Sequence, residues 1–304
     1  MENSIICPYC KKENVKKDGK RKTKNRGLIQ RYKCKECGKR FVQDNGFFRM
    51  RNHPNKITCA IDLFYRGVST RKVQEHFQSF YPHNSDHSTI LRWIRKYAKM
   101  ISKFTDNLKI QLGREIQIDE MEYKTKKRKS WFIDCIDTTT RFMVSSNYVY
   151  SRGNGELKEV IKKAKDKTSQ IKIVTTDGFP AYTNVVKKVF GYNKHLKRFN
   201  VEHNSVNARQ GEGFNYKIER LHNSIRERTK VFREFKRLES ARALMKGYEI
   251  FYNFIRVHQA IGKCSYELAT NLKFKDKNKW LELIRLSKSP NFVTTLKILL
   301  NIKI

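Results

Sequence analysis

Three carboxylates have the type and spacing to do chemistry here: Asp119 in QIDEMEYK, Asp177 in IVTTDGFPAY and Glu219 in NYKIERLHNSIRERTK. They stand in a chain of 304 residues whose 66 Lys and Arg outnumber 29 Asp and Glu, for a formal net charge of +37. Acids kept in so basic a chain are explained by a polyanion such as DNA. Lys and Arg hold the phosphates, while a few carboxylates hold the divalent ions that activate one of them. Two acids on neighbouring strands and a third on a helix beside them can hold two Mg²⁺ (or Mn²⁺) ions about 4 Å apart. One ion activates a nucleophile and the other stabilises the leaving oxygen, so no covalent enzyme intermediate is needed. Arg226 follows Glu219 by seven residues, close to two turns at about 3.6 residues per turn, and shares nearly the same helix face, from which it can clamp a phosphate. Glu120, Glu122, Asp134 and Asp137 lie close by in sequence; each has the chemistry to support the ligands from behind, but surface acids offsetting local basic charge are expected. His203 and His222 are expected to face DNA or solvent. His222, three residues after Glu219, is within reach of the scissile phosphate as a secondary donor but is assigned no core role.

A second constellation is made of thiols. Of seven cysteines, four fall as Cys7-x2-Cys10 and Cys34-x2-Cys37 with 23 residues between the pairs. Each pair suits a tight turn that points two thiolates at one ion, and two pairs complete the tetrahedron of one structural Zn²⁺. Gly38 supplies the backbone freedom that the second turn requires. Cys59, Cys135 and Cys264 sit among apolar neighbours and are expected to be buried thiols. Residues 11 to 40 hold 14 Lys or Arg against Glu13, Asp18 and Glu36, so the ribbon is expected to touch DNA phosphates.

The elements that must position these groups follow from periodicity. Ile57, Ala60, Ile61 and Phe64 line one face of a helix that Gly67 stops, and Ser69 caps the next, which buries Val73 and Phe77. A third helix through HSTILRWIRKY places Ile90, Trp93, Ile94 and Tyr97 at core spacing. This is a helix-turn-helix pattern, and Ser88, Thr89, Arg92, Arg95 and Lys96 lie on the outward side of its recognition helix. From about residue 112 the period changes to that of strands: Ile116 and Ile118 alternate up to Asp119, and SWFIDCID and RFMVSSNYVY are joined by Thr138 to Thr140. Then come a helix through Leu157, Val160, Ile161 and Ala164, the strand IKIVTTD, a helix closed by Gly191, a short strand near HLKRFNVEH, and long helices to about residue 260.

The order βββαβαβα, with acids on the first strand, at the end of the fourth and on a late helix, resembles the ribonuclease-H-like core of DDE transposases and retroviral-type integrases. The nearest likeness is to insertion-sequence transposases of the IS6 type. It rests on IDEMEYK, on Trp131 with CIDTTTR, on TTDGFPAY, and on NYKIERLHNSIRER, in which Arg226 stands where that group carries Lys or Arg. YNFIRVHQAI is similar to the Tyr-Asn-x-x-Arg-Pro-His-x-Ala segment of integrase cores, with Val257 in place of the proline. The 41 residues between Asp177 and Glu219 exceed the interval usual in the group, which implies an inserted turn or strand extension in HLKRFNVEHNSVNARQ. Glu212 would restore the shorter interval but lacks the Asn-x-x-Ile-Glu context.

These readings give an α/β chain in four parts: a zinc ribbon (1–45), a helix-turn-helix domain (54–100), a ribonuclease-H-like DDE catalytic domain (112–262) and a C-terminal helical tail (263–304). No stretch of 18 apolar residues occurs, so no membrane role is expected, and the N-terminus lacks the features of a secretory signal. A cytoplasmic, nucleoid-associated protein is expected, acting on DNA as a homodimer or higher oligomer. The resemblance implies a transposase that binds element ends and catalyses strand cleavage and transfer into target DNA. Two alternatives are a catalytically silent DNA-binding regulator built on the N-terminal modules, and a metal-dependent nuclease that cuts without joining.

Overall fold

The computed structural model describes residues 5–23, 27–80, 85–206, 215–232 and 234–288. Its N-terminal part is an antiparallel sheet in the order β1 (Val15–Thr23), β2 (Gly27–Cys34), β3 (Arg40–Val42). Too few apolar residues face inward to make a large core; Cys7, Cys34 and Phe41 are buried, flanked by Ile5, Val15 and Tyr32.

Three helices follow: α1 (Pro54–Tyr65), α2 (Thr70–Phe80) and α3 (His87–Thr105). Their ends obey local chemistry. His53 Nδ1 accepts from the Asn55 amide ahead of Pro54, and Gly67, at φ +109°, takes the chain out of α1. Ser69 Oγ accepts from the Lys72 amide at the start of α2, and Asp86 Oδ1 from the Ser88 amide at 2.7 Å ahead of α3; both satisfy donors that a helix start leaves unpaired. α3 runs eight residues past the HSTILRWIRKY pattern, burying Ala98, Ile101 and Phe104 in addition.

The central part is a five-stranded mixed sheet. β4 (Glu115–Thr125), β5 (Arg128–Asp137) and β6 (Met143–Val149) form an antiparallel meander; α4 (Asn154–Lys167) leads to β7 (Ile173–Asp177), parallel to β4. α5 (Pro180–Phe190), ended by Gly191 at φ +92°, is followed by a hairpin of β8 (Tyr192–Asn193) and β9 (Arg198–Phe199), then by β10 (Glu202–Val206), parallel to β7. The order is β10-β7-β4-β5-β6, the ribonuclease-H-like arrangement. The hairpin falls in the lengthened interval between Asp177 and Glu219. Glu212 lies outside the described residues.

Helices cover both faces of this sheet. Successive strand residues point to opposite sides, so Ser145 Oγ reaches the Val160 carbonyl of α4 while Ser146 Oγ reaches Glu249 of α7 (Leu238–Ile250). α6 (Tyr216–Thr229) shares the α7 side: Gln117 Oε1 on β4 accepts from the Ile218 amide. β5, covered on both faces, is buried from Phe132 to Asp137, which is why FIDCID reads as a nearly continuous run rather than as an alternation.

α7 also receives α3. A Cβ added at Gly247 would lie 1.8 Å from Tyr65 Oη and 3.1 Å from Ala98 Cβ; only glycine allows this approach. Tyr65 Oη donates to the Leu244 carbonyl at 3.2 Å, and Lys246 pairs with Asp106 at 2.6 Å. The first three helices and the sheet therefore share one continuous apolar core. Past α7 a π-helical turn, Phe251–Ile255, holds Asn253, whose amide exchanges two hydrogen bonds with the Met143 backbone. His258 Nε2 lies 2.9 Å from the Tyr252 carbonyl, so two polar positions of YNFIRVH close the end of β6 and the turn behind it. α8 (Ser265–Ala269) and α9 (Lys279–Leu286) complete the described chain; Trp280 stacks on Tyr65 and donates to Asp62 of α1 at 3.1 Å.

Candidate active site and metal centres

β4 and β7 are neighbours, so Asp119 in mid-strand and Asp177 at a strand end are brought together. Together with Glu120 they form a group in which one carboxylate oxygen from each residue lies within 4.8 Å of the other two. Asp119 is held twice: Oδ1 accepts from the Glu120 amide at 2.7 Å, and Oδ2 lies 3.6 Å from His222 Nδ1. Asp177 Oδ1 accepts from the Phe179 amide at 3.1 Å, the Asx-type turn that the DGF sequence favours. Burial pushes the Asp119 carboxyl up to about 7, with Glu120 and Asp134 adding to the shift and His222 opposing it. Burial also raises Asp177. Crowded, desolvated acids of this kind are short of positive charge, and a divalent cation supplies it.

The expectation that the neighbouring acids are surface groups holds only for Glu122, which is exposed and pairs with Lys129 at 3.1 Å. Glu120 has a side chain only 2% exposed. Arg152 Nη1 donates to it at 2.6 Å and Tyr182 Oη donates to its other oxygen, while the Arg152 guanidinium lies between the Trp131 and Phe179 rings at 4.3 and 4.4 Å. Asp137 is fully buried because it builds the β5–β6 turn, accepting from the Thr140 amide and hydroxyl and from the Gly113 amide. Asp134 is fully buried and lies directly across from Asp119 in the β4–β5 ladder.

His222 corrects a further expectation, because it is buried rather than turned to solvent or DNA. Its Nε2 lies 2.8 Å from Asp134 Oδ1. Burial alone would lower its pKa, but Asp134 and Asp119 outweigh that and hold it above the ordinary histidine value. His203, on β10, is half-buried, with Nε2 3.0 Å from Thr176 Oγ1.

Glu219 stands in the first turn of α6 with an exposed side chain, and it is not in the group within 4.8 Å. It is one turn before His222, the α6 residue that touches Asp119. Arg226 is exposed farther along the helix, with Nη1 3.5 Å from Asn223 Oδ1.

In the ribbon, Cys7, Cys10, Cys34 and Cys37 converge, all four sulfurs lying within 4.8 Å of one another. Sγ separations of 3.6 Å (Cys7–Cys37) and 3.5 Å (Cys10–Cys34) are near the edge of about 3.8 Å set by a tetrahedron with Zn–S bonds of about 2.3 Å. The two knuckles repeat one hydrogen-bond pattern: Cys7 N to Lys12 O with Lys11 N to Cys7 O, and Cys34 N to Lys39 O with Gly38 N to Cys34 O. Lys11 at φ +61° and Gly38 at φ +68° take the same left-handed turn position. Among the other cysteines, Cys135 and Cys264 are buried and Cys59 is half-buried.

On α3, Ser88, Arg92, Arg95 and Lys96 are exposed and Thr89 is partly so; Arg92 donates to Thr89 Oγ1 at 2.8 Å. A groove of about 980 Å³ at the ribbon carries Lys11, Arg21, Arg31, Arg40 and Lys288 on its walls. Among the described residues no helix is long and apolar enough to cross a membrane.

Parts of the chain are similar to known proteins. Residues 113–258 match a protein family described as a DDE domain. The "Insertion element ISM1 uncharacterized 48.3 kDa protein" of Methanobrevibacter smithii is 25% identical over 284 residues, covering 83% of this chain and 68% of that protein. Among solved structures, the catalytic core domain of HTLV-2 integrase in complex with magnesium (trimeric form) covers 52% of this chain and 97% of its own, at 16% identity and a TM-score of 0.38. The Drosophila P element transposase strand transfer complex covers 87% and 83%, at 9% identity and a TM-score of 0.32. With paired acids on adjacent strands of a mixed sheet, residues 113–258 form a DDE domain, and the chain as a whole is similar to an insertion-element protein.

Proposed function

We propose that this transposase cuts DNA at the ends of its element and joins the freed 3′ ends to target DNA, using Asp119, Asp177 and Glu219 to hold two Mg²⁺ or Mn²⁺ ions. The observation that carries the reading is the meeting of Asp119 and Asp177 within 4.8 Å, at the edge of a helix that bears Glu219 one turn from the Asp119 contact. In the first step a water oxygen bonds to phosphorus and the bond to the 3′ oxygen breaks, leaving a 3′-hydroxyl and a 5′-phosphate. In the second step that 3′-hydroxyl bonds to a target phosphorus and displaces a target 3′ oxygen, so phosphodiester bonds are exchanged without an external energy source. Bound divalent ions supply charge for the attacking and leaving oxygens. The chain's own contribution is to fix the acids: the Glu120 amide orients Asp119, the Phe179 amide orients Asp177, and Arg226 is available to hold a nearby phosphate.

End recognition falls to the N-terminal parts. One Zn²⁺ on Cys7, Cys10, Cys34 and Cys37 ties the two knuckles of the ribbon (1–45), which holds phosphates through its basic side chains. The helix-turn-helix domain (54–100) presents Ser88, Thr89, Arg92, Arg95 and Lys96 to base edges and phosphates. The catalytic domain is assigned to 112–262 and the helical tail to 263–304. Two element ends must be joined to one target, which favours a dimer or higher oligomer on DNA, in the cytoplasm with the nucleoid.

Incubating the protein with duplexes that carry the element ends, a target plasmid and Mg²⁺ tests this function. Joined products that vanish in chelator are expected. Nicked ends without joining would identify a nuclease, and end binding with neither product a regulator.

A further inference from the structure

The transposase reading gives His222 no task, yet its buried ring spans two carboxylates beside the site. We propose that His222, backed by Asp134, is a positioning residue that locks the Asp119 carboxylate and the helix bearing Glu219 into one geometry; this rests on the reading of Asp119 as a metal ligand.

Asp119 and Asp134 are direct cross-strand partners, and side chains directly opposite on antiparallel strands share a face, where two carboxylates repel. α6 closes over that face through buried Ile218, Leu221 and Ile225, and at that point it delivers a histidine. The ring spans both acids, with Nε2 at 2.8 Å from Asp134 and Nδ1 at 3.6 Å from Asp119. Asp134 is fully buried, and His222 is the partner of its Oδ1, while its Oδ2 has none among the described residues. A buried carboxylate with so little hydrogen bonding costs stability, so fold economy does not account for it. A ligand carboxylate braced by an outer hydrogen-bonding pair does, because such partners fix the orientation of the group that meets the metal.

The brace reaches further than Asp119. Glu219 and His222 are three residues apart on α6, and the Ile218 amide is tied to Gln117 of β4. The rotation of α6 about its axis is thus pinned to the strand that carries Asp119, and Glu219 is pinned with it. Asp119 Oδ1 is held by the Glu120 amide and Oδ2 faces His222; each oxygen keeps a second lone pair for a cation.

The test is the Mg²⁺ dependence of end cleavage by the full-length protein carrying His222→Ala, His222→Asn or Asp134→Asn, with end binding in chelator and thermal melting measured alongside. The proposal expects His222→Ala to raise the Mg²⁺ half-saturation concentration about 10–100-fold, with end binding unchanged. His222→Asn, whose amide can replace the donor toward Asp119, should recover part of the shift. Asp134→Asn should resemble His222→Ala more weakly, and it carries the test if His222→Ala does not fold. A lowered melting temperature with unchanged Mg²⁺ half-saturation in active variants would make His222 and Asp134 merely structural and overturn the proposal. Wild-type protein inert with Mg²⁺ would overturn the catalytic reading and this inference with it.

Discussion

Asp119 is a residue on which burial and charge pull in opposite directions. Burial raises its pKa to about 7, well above the ordinary aspartate value of about 3.9. The folded, metal-free protein therefore binds more protons than the unfolded chain between those two values, so this residue's contribution to stability falls as pH rises from about 4 to 7. His222 has the other dependence: held above the ordinary value, it contributes stability that is full below about pH 6.5 and lost as pH rises through its folded value. Asp119→Asn in chelator should accordingly gain melting temperature over the wild type as pH is raised from 5 to 8, and should lose the stabilisation that Mg²⁺ gives the wild type above pH 7. A difference that shrinks with rising pH would show that Asp119 is not strained by its burial. Asp119 and Asp177 were legible because each sits in a motif that names its strand position. Glu120, Asp134 and His222 were not, since nothing in the sequence says that β4 and β5 pair in the register that opposes Asp119 to Asp134. One signal was available: a histidine one turn after Glu219 falls on the side of the helix that meets the strand acids.

At the scale of elements, the ribbon and the catalytic sheet hold together by different means. The sheet shares an apolar core with α1–α3 and α9, whereas the ribbon buries little beyond Cys7, Cys34 and Phe41. A unit with so small a core is expected to depend on the Zn²⁺ proposed for its four cysteines. Protein purified without chelator should carry one Zn²⁺ per chain by elemental analysis. Cys34→Ser should lose it and unfold residues 5–42 while the melting transition of the sheet remains; a zinc-free protein with an ordered ribbon would refute this. Periodicity revealed α1–α3, the meander β4–β6 and the alternation of α4, β7 and α5, because each buries one regular face. It did not reveal that α3 continues to Thr105 and meets α7, since that contact depends on Gly247 facing Tyr65 and Ala98, a pairing between distant segments. The β8–β9 hairpin was foreseen only as an inserted turn or a short strand near HLKRFNVEH, its strands of two residues being too short to carry a pattern.

For the whole molecule, the net charge of +37 sets the attraction to DNA and the exposed end of α3 is assigned its discrimination. Arg92→Ala with Arg95→Ala should reduce the preference for element ends over random duplex, while neutralising Lys11, Lys12, Lys16 and Lys17 should weaken both and flatten the salt dependence, as measured by titrations at several salt concentrations. Equal losses on both DNAs in both sets would reject α3 as the reading helix. Composition made a nucleic-acid partner legible from the start, but the packing of that helix onto the catalytic core was not, because charge says nothing of which surfaces are used inside the protein. Metal-dependent strand transfer at the acidic group is the proposed activity of the whole molecule. Its most direct test is the joining of a pre-cleaved end, bearing a free 3′-hydroxyl, to target DNA by Asp119→Asn, Asp177→Asn and Glu219→Gln proteins, with exposed Glu122→Gln as the control and Glu120→Gln alongside. Joined product should fall to background in the three variants and persist in the control, while binding to end DNA in chelator is unchanged or tighter as negative charge is removed. An inactive Glu120→Gln beside an active Glu219→Gln would move the third ligand to β4, and wild-type joining by Asp119→Asn or Asp177→Asn would contradict the account.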